Sequence, residues 1–162
     1  MNKSKLEQAF YEISQNLPHG ERENFVKKSS EKILAELSGY GCNFDKIFEG
    51  KMSSNGYNSE IEFHNINFYS HCKHHFSPII GTISVSYVPD CWIIGLSRIT
   101  DCVFALTKRL QLQEGLTMDI AQVIFDGVEA KSVTVKISAV HYCMQKTMEN
   151  LPEIRTSHTI VR

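Results

Sequence analysis

The sequence predicts an α+β fold: an antiparallel four-stranded sheet with two helices on one face, preceded by a helical segment. Three patterns predict it. Apolar and polar residues alternate at period two over 61–68, 81–88 and 132–140. A 3.6-residue apolar stripe runs through 97–112. The first 40 residues read as two helices, 4–16 and 21–38.

Leu6, Phe10 and Ile13 share one side of the first helix, which Pro18, His19 and Gly20 break. Gly39 is a natural stop for the second. Residues 50–59 read as a loop. Ile61 and Phe63 then alternate with Glu60, Glu62 and His64. The phase slips at Asn65 before Ile66 and Phe68 resume it, as a β-bulge requires. In the next strand Ile83, Val85 and Tyr87 oppose Thr82, Ser84 and Ser86, and Pro89-Asp90 forms a turn. Ile99, Cys102, Val103, Leu106 and Leu110 make the stripe of the 97–112 helix, with Ser97 as N-cap. Thr117 is expected to cap a further helix to Phe125, with Asp119 in its first turn and Asp126-Gly127 closing it. Val133, Val135, Ile137 and Ala139 alternate with Ser132, Thr134, Lys136 and Ser138, and a last strand covers 157–161. Four strands leave two open edges, which invite pairing with another subunit.

A chain of 162 residues and 18.5 kDa fits a single domain, 1–162, with a helical part at 1–40 and the sheet core at 60–162. A 42% hydrophobic and 22% charged composition is that of a globular protein. The net charge of −1 gives no support for sequence-wide binding to nucleic acid or to an anionic membrane. A small anionic ligand needs only a local cationic patch. Met1 to Glu12 lacks an apolar signal-peptide core, and no apolar run approaches the ~20 residues of a membrane span. The expected location is cytoplasmic. Five irregularly spaced cysteines suit a reducing compartment, where they serve as core, metal-binding or catalytic residues. Cys102, on an apolar helical face, reads as core.

The densest chemical signal is Ser70-His71-Cys72-Lys73-His74-His75. Its Cys-x-x-His spacing lets a thiolate and an imidazole converge on one ion, although histidine-rich turns also occur on plain surfaces. A second signal is His141-Tyr142-Cys143 at a strand end, where residues i and i+2 point the same way. In isolation it better suits a buried cysteine in a sheet with a satisfied histidine nearby. Taken together, Cys72, His75 and Cys143 form a Cys₂His set whose charge balances Zn²⁺ and leaves one coordination position open, as in catalytic zinc sites. His74 and His141 remain unligated beside it, suited to proton transfer near neutral pH. Gln111-Leu112-Gln113-Glu114, expected at the end of the 97–112 helix, is by itself an ordinary solvated terminus.

Four ordered stretches make the chain resemble GTP cyclohydrolase I: Cys72-Lys73-His74-His75, Gly95 to Ile99, Arg109 to Thr117, and His141-Tyr142-Cys143. The resemblance implies the tunnelling fold, an antiparallel sheet with two helices on one face. It also implies assembly as a homodecamer of two pentamers, with active sites between subunits. It implies zinc held by Cys72, His75 and Cys143, and hydrolytic opening of the guanine imidazole ring of GTP to 7,8-dihydroneopterin triphosphate and formate. His74 and His141 move protons, Glu114 holds the guanine edge with Gln113 beside it, and Ser97 and Arg98 contact the ribose and triphosphate.

Some positions depart from the family pattern. Lys73 stands where the family has Glu, Asp101 where it has a phosphate-gripping Arg, and Thr147-Met148 where it has Arg-Gly. Reversing a charge at a phosphate site does more than remove a bidentate grip. Lys73, Lys146 or Arg155 are candidates to compensate. Three functions therefore compete: a GTP cyclohydrolase I, a paralogue acting on another guanine nucleotide or purine, and a non-catalytic partner of a true cyclohydrolase. A zinc-free nitrile reductase of the same fold fits the Cys72, His75 and Cys143 pattern poorly.

Overall fold

The computed structural model describes residues 2–144 and 151–162, which cluster into two compact units, Met1–Ser38 and Gly39–Arg162. The first unit pairs two helices, α1 (Lys3–Ile13) and α2 (His19–Glu36). The Asn2 side chain caps α1 by accepting from the Lys5 amide. Pro18 opens α2, where a missing N–H costs nothing. Phe10 and Phe25 meet edge to face at 5.9 Å. The turn between the helices is closed by Arg22, whose Nη2 donates to the Gln15 carbonyl at 2.6 Å.

The second unit begins with a short helix, α3 (Phe44–Ile47), and a two-residue strand, β1 (Met52–Ser53). Two long strands follow, β2 (Ile61–Cys72) and β3 (Pro78–Val88), then the short β4 (Trp92–Ile93), which pairs with β1. Next come α4 (Leu96–Thr107), the two-residue β5 (Leu110–Gln111) and α5 (Gln113–Val128). The long strands β6 (Ser132–His141) and β7 (Glu153–Val161) complete it. The main sheet has the order β5-β2-β3-β6-β7, antiparallel except for the β2–β5 pair. The four predicted strands are its long members; β5 adds a short parallel rung.

Ile83, Val85 and Tyr87 of β3 and Val133, Val135, Ile137 and Ala139 of β6 are buried, as are Ile99, Cys102, Val103 and Leu106 of α4 and Leu116, Ile120 and Ile124 of α5. They form one core between the sheet and the two helices. The opposite sheet face is polar; there Thr134 and Thr159 hydroxyls meet at 3.0 Å across β6 and β7. Gly81 keeps β3 and β6 close, since a Cβ there would lie 2.1 Å from the Ser138 carbonyl oxygen. The expected bulge is present: the β2–β3 register shifts between Phe63 and Ile66, and Asn65 takes a φ of 55°. No helix among the described residues is long and apolar enough to cross a membrane.

Helix boundaries differ from the expected ones, for local reasons. The helix expected over 97–112 starts at Leu96 and ends at Thr107, with Gly95 rather than Ser97 at its cap. Past Thr107 the chain joins the sheet: Gln111 pairs with Cys72, and the Leu110 amide donates to the Tyr40 hydroxyl. The Gln111 side chain turns back to donate to the Leu106 carbonyl at 2.7 Å, satisfying a helix-end acceptor. Helix α5 starts at Gln113, four residues before Thr117. Thr117 is no cap; its hydroxyl donates back to the Gln113 carbonyl at 2.7 Å. The last strand starts at Glu153 rather than 157 because β6 offers it nine paired positions.

Candidate metal centre

Strand β3 brings the two distant motifs together. Its Ile79 is opposite Ser70 of β2 on one side and His141 of β6 on the other. Cys72, the last residue of β2, and Cys143, just past the end of β6, therefore flank the same end of β3. The Cys72–His75 turn is tied down by its backbone. The Cys72 amide donates to the Ser77 carbonyl at 2.8 Å, the Phe76 amide to the Cys72 carbonyl at 2.9 Å, and the Lys73 amide to the Gln111 carbonyl at 2.9 Å. Phe76 takes a φ of 57° to complete the turn, and its ring stacks on His71 at 4.7 Å.

Cys143 arrives by a different route from the one expected. Strand β6 ends at His141, and Tyr142–Met144 form a 3₁₀ turn, so strand alternation does not aim Cys143. The turn does, and it brings Cys143 beside Cys72 and His75. The ligand atoms of Cys72, His75 and Cys143 all lie within 4.8 Å of one another. The Cys72 Sγ to His75 Nδ1 distance is 3.8 Å. Tetrahedral zinc with Zn–S near 2.3 Å and Zn–N near 2.0–2.1 Å separates its ligands by about 3.5–3.8 Å, so small side-chain adjustments suffice.

Donor chemistry agrees with the geometry. Burial pushes the Cys143 thiol above its ordinary pKa, and the neighbouring Cys72 thiol pushes it further in the same direction. Two facing sulfurs resist joint ionisation unless a cation lies between them, and a divalent ion supplies that charge. Zinc therefore fits these residues.

The three ligands open onto a cavity of ≈ 630 Å³, also lined by His74, Gln113, Glu114 and His141, with Leu112, Met144 and Ile154 as its apolar walls. That volume falls within the range of small-molecule sites. His74 is exposed and meets the His75 ring edge-on at 5.9 Å. Burial pulls the His141 pKa below its ordinary value, with Glu114 acting against the shift. Glu114, exposed in the first turn of α5, has its carboxylate at the positive end of the helix dipole.

Other expected site residues stand apart. Ser97 and Arg98 are exposed at the start of α4 and do not line this cavity. Arg98 is instead 3.8 Å from Asp101, the acid standing at an expected arginine position. Lys146, Thr147 and Met148 lie outside the described residues. Sequence reasoning missed Ile154 and Thr156, because the last strand was begun too late. The alternation Ile154, Thr156, His158, Ile160 carried the signal.

Two thiols and an imidazole converging at one sheet end of an α+β domain, beside two further histidines and a carboxylate, define a candidate metal site that opens onto a cavity. A family model described as GTP cyclohydrolase I matches residues 5–162. The chain belongs to the GTP cyclohydrolase I family. Proteins named GTP cyclohydrolase 1 are similar to it. The one from Rickettsia bellii is 42% identical over 120 residues, covering 74% of this chain and 61% of that protein. The one from Pelagibacter ubique is 42% identical over 109 residues, covering 67% and 54%. The one from Chlorobium chlorochromatii is 31% identical over 157 residues, covering 94% and 70%. This chain thus spans less than two thirds of the length of the first two. Among solved structures, a putative dihydroneopterin aldolase from Vibrio cholerae aligns with a TM-score of 0.49 and 6% identity, covering 65% of this chain and 98% of that one.

Proposed function

We propose that this chain catalyses hydrolytic opening of the guanine ring of GTP, yielding 7,8-dihydroneopterin triphosphate and formate, with zinc held by Cys72, His75 and Cys143. The observation that carries this is the convergence of those three ligands beside His74, His141 and Glu114 in one cavity. Family membership supports the same reading. When bound, zinc supplies a Lewis acid that brings the pKa of a water ligand towards neutrality.

The chain's own residues bind, orient and move protons. Glu114 accepts hydrogen bonds from the guanine N1–H and exocyclic amine, a matched pair of donors for one carboxylate. Leu112, Met144 and Ile154 keep bulk water from the base. His74 and His141 transfer protons as the C8–nitrogen bonds break and C8 leaves as formate. Ser97 and Arg98 are assigned to the ribose and triphosphate of a site on a neighbouring subunit. Open sheet edges at β5 and β7 suit the proposed homodecamer. Five free cysteines suit the cytoplasm.

One observation favours a second reading, a paralogue acting on another guanine nucleotide. Asp101 faces Arg98, which lowers the positive charge offered to a triphosphate. The test is zinc analysis with incubation in GTP, GDP, GMP and guanosine, following formate and the fluorescent pterin after oxidation. Release from GTP alone supports the first reading, and release from a shorter phosphate alone the second. Zinc-loaded protein that turns over none of them overturns both.

A further inference from the structure

Gln113, the first residue of α5, is only 2% exposed. Its side-chain amide is enclosed by two strands, β6 and β7. Nε2 donates to the Ile154 carbonyl at 3.0 Å and to the Thr156 Oγ1 at 3.2 Å, both on β7, with the Ile137 carbonyl of β6 at 3.4 Å. Oε1 is 2.8 Å from His141 Nε2. The orientation of this amide is settled by chemistry. Rotating it by 180° would set an oxygen against two carbonyl oxygens, a contact with no hydrogen between the partners.

The neighbouring hydroxyls fix the remaining hydrogens. Thr117 Oγ1 donates to the Gln113 carbonyl at 2.7 Å, so its proton is committed. The 2.6 Å contact between Thr117 and Thr156 must then be a donation from Thr156 to Thr117. Thr156 in turn accepts from Gln113 Nε2. A closed ring results, running from the Gln113 amide through Thr156 and Thr117 back to the Gln113 backbone. Each bond in it polarises the next. With both amide hydrogens directed into this ring and its carbonyl partners, Oε1 can act only as an acceptor towards His141.

We propose that Gln113 is the positioning residue of His141: its carbonyl oxygen holds a proton on His141 Nε2, and β7, through Ile154 and Thr156, sets the amide that does so. Held through Nε2, the ring is fixed in rotation and only Nδ1, on its other side, is left outside the hydrogen bond to Gln113. Gln113 then orients a catalytic group and does not read the guanine edge, which falls to Glu114. The catalytic consequence rests on the proposed function; the protonation pattern of His141 does not.

The test uses the full chain labelled with ¹⁵N-histidine, with and without zinc, studied by magic-angle-spinning NMR. The His141 signals are assigned by their loss in His141→Gln. The wild type is expected to carry a protected Nε2–H proton and a bare Nδ1. Thr156→Val, nearly isosteric, removes the hydroxyl from the ring. It should expose that proton to exchange and lower kcat by about tenfold to a hundredfold, with KM within about threefold. Thr156→Ser, which restores the hydroxyl, should recover both readouts. Gln113→Leu should match Thr156→Val or exceed it. A wild-type His141 protonated on Nδ1 alone overturns the proposal. So does a Thr156→Val protein with wild-type proton protection, or a Gln113→Leu protein in which only KM rises, the mark of lost substrate binding. If no guanine nucleotide is turned over, the proposed function fails, while the NMR comparison still decides the role of Gln113.

Discussion

Cys102 and the Cys72/Cys143 pair are cysteines of one chain in opposite settings. Cys102 lies at 0% exposure on α4, among Ile99, Val103 and Leu106. Burial raises its thiol pKa to about 12, with Cys42 adding to the shift and Arg109 opposing it. It behaves as a small apolar residue. Cys72 is nearly as buried, at 4%. Yet its sulfur faces a second thiol and an imidazole at the mouth of a cavity. Burial alone therefore does not distinguish a ligand from packing; convergence of donors does.

The largest expected effect tests that distinction directly. Cys143→Ala should reduce bound zinc from about one per chain to near zero and abolish formate release together. A zinc-loaded, active variant would refute the ligand assignment. Next, Cys102→Ser buries a hydroxyl in an apolar setting and should destabilise the fold by about 1–3 kcal/mol, with zinc content unchanged. Chemical denaturation and metal analysis of one sample read both quantities.

Cys102 also predicts a pH dependence. Its thiol keeps its proton to about 12 in the folded chain but loses it near 9.0 once unfolded. The folded state binds the extra proton in that window, so stability is intact below pH 9 and falls as pH rises through it. The fall approaches about 1.4 kcal/mol per pH unit. Cys102→Ala should flatten this part of the profile, and equal slopes in the two proteins would contradict it. The smallest effect belongs to Cys91, which is exposed. Cys91→Ala should change stability by no more than about 0.5 kcal/mol and leave zinc binding intact. A loss of metal in that variant would extend the site beyond the three ligands.

Much of the fold was legible because β-strands and amphipathic helices write their own periods. The alternation in β3 and β6, the bulge at Asn65 and the apolar stripe of α4 from Ile99 to Leu106 appear in the structure at the expected positions, whereas Leu110, the expected end of that stripe, lies in β5. Boundaries were less legible. The end of α4 depends on Gln111 pairing with Cys72 from a distant strand, and the start of β7 on the length of β6. Among the site residues, Cys72, His75 and Cys143 were legible as ligand types at suggestive spacing. Gln113 was named, but its partners were not, because Ile154 and Thr156 reach it only through the sheet.

Sequence by itself determined the four long strands and the main helices, and which side chains had the softness and charge to hold zinc, since both are properties of residues and their near neighbours. Tertiary structure decided that β3 would bring two motifs about 70 residues apart to one end of the sheet, that a 3₁₀ turn rather than a strand would aim Cys143, and that Gln113 would face His141. Those outcomes depend on register between distant strands. Register is set by the burial of a whole face at once, and no local stretch of residues encodes it.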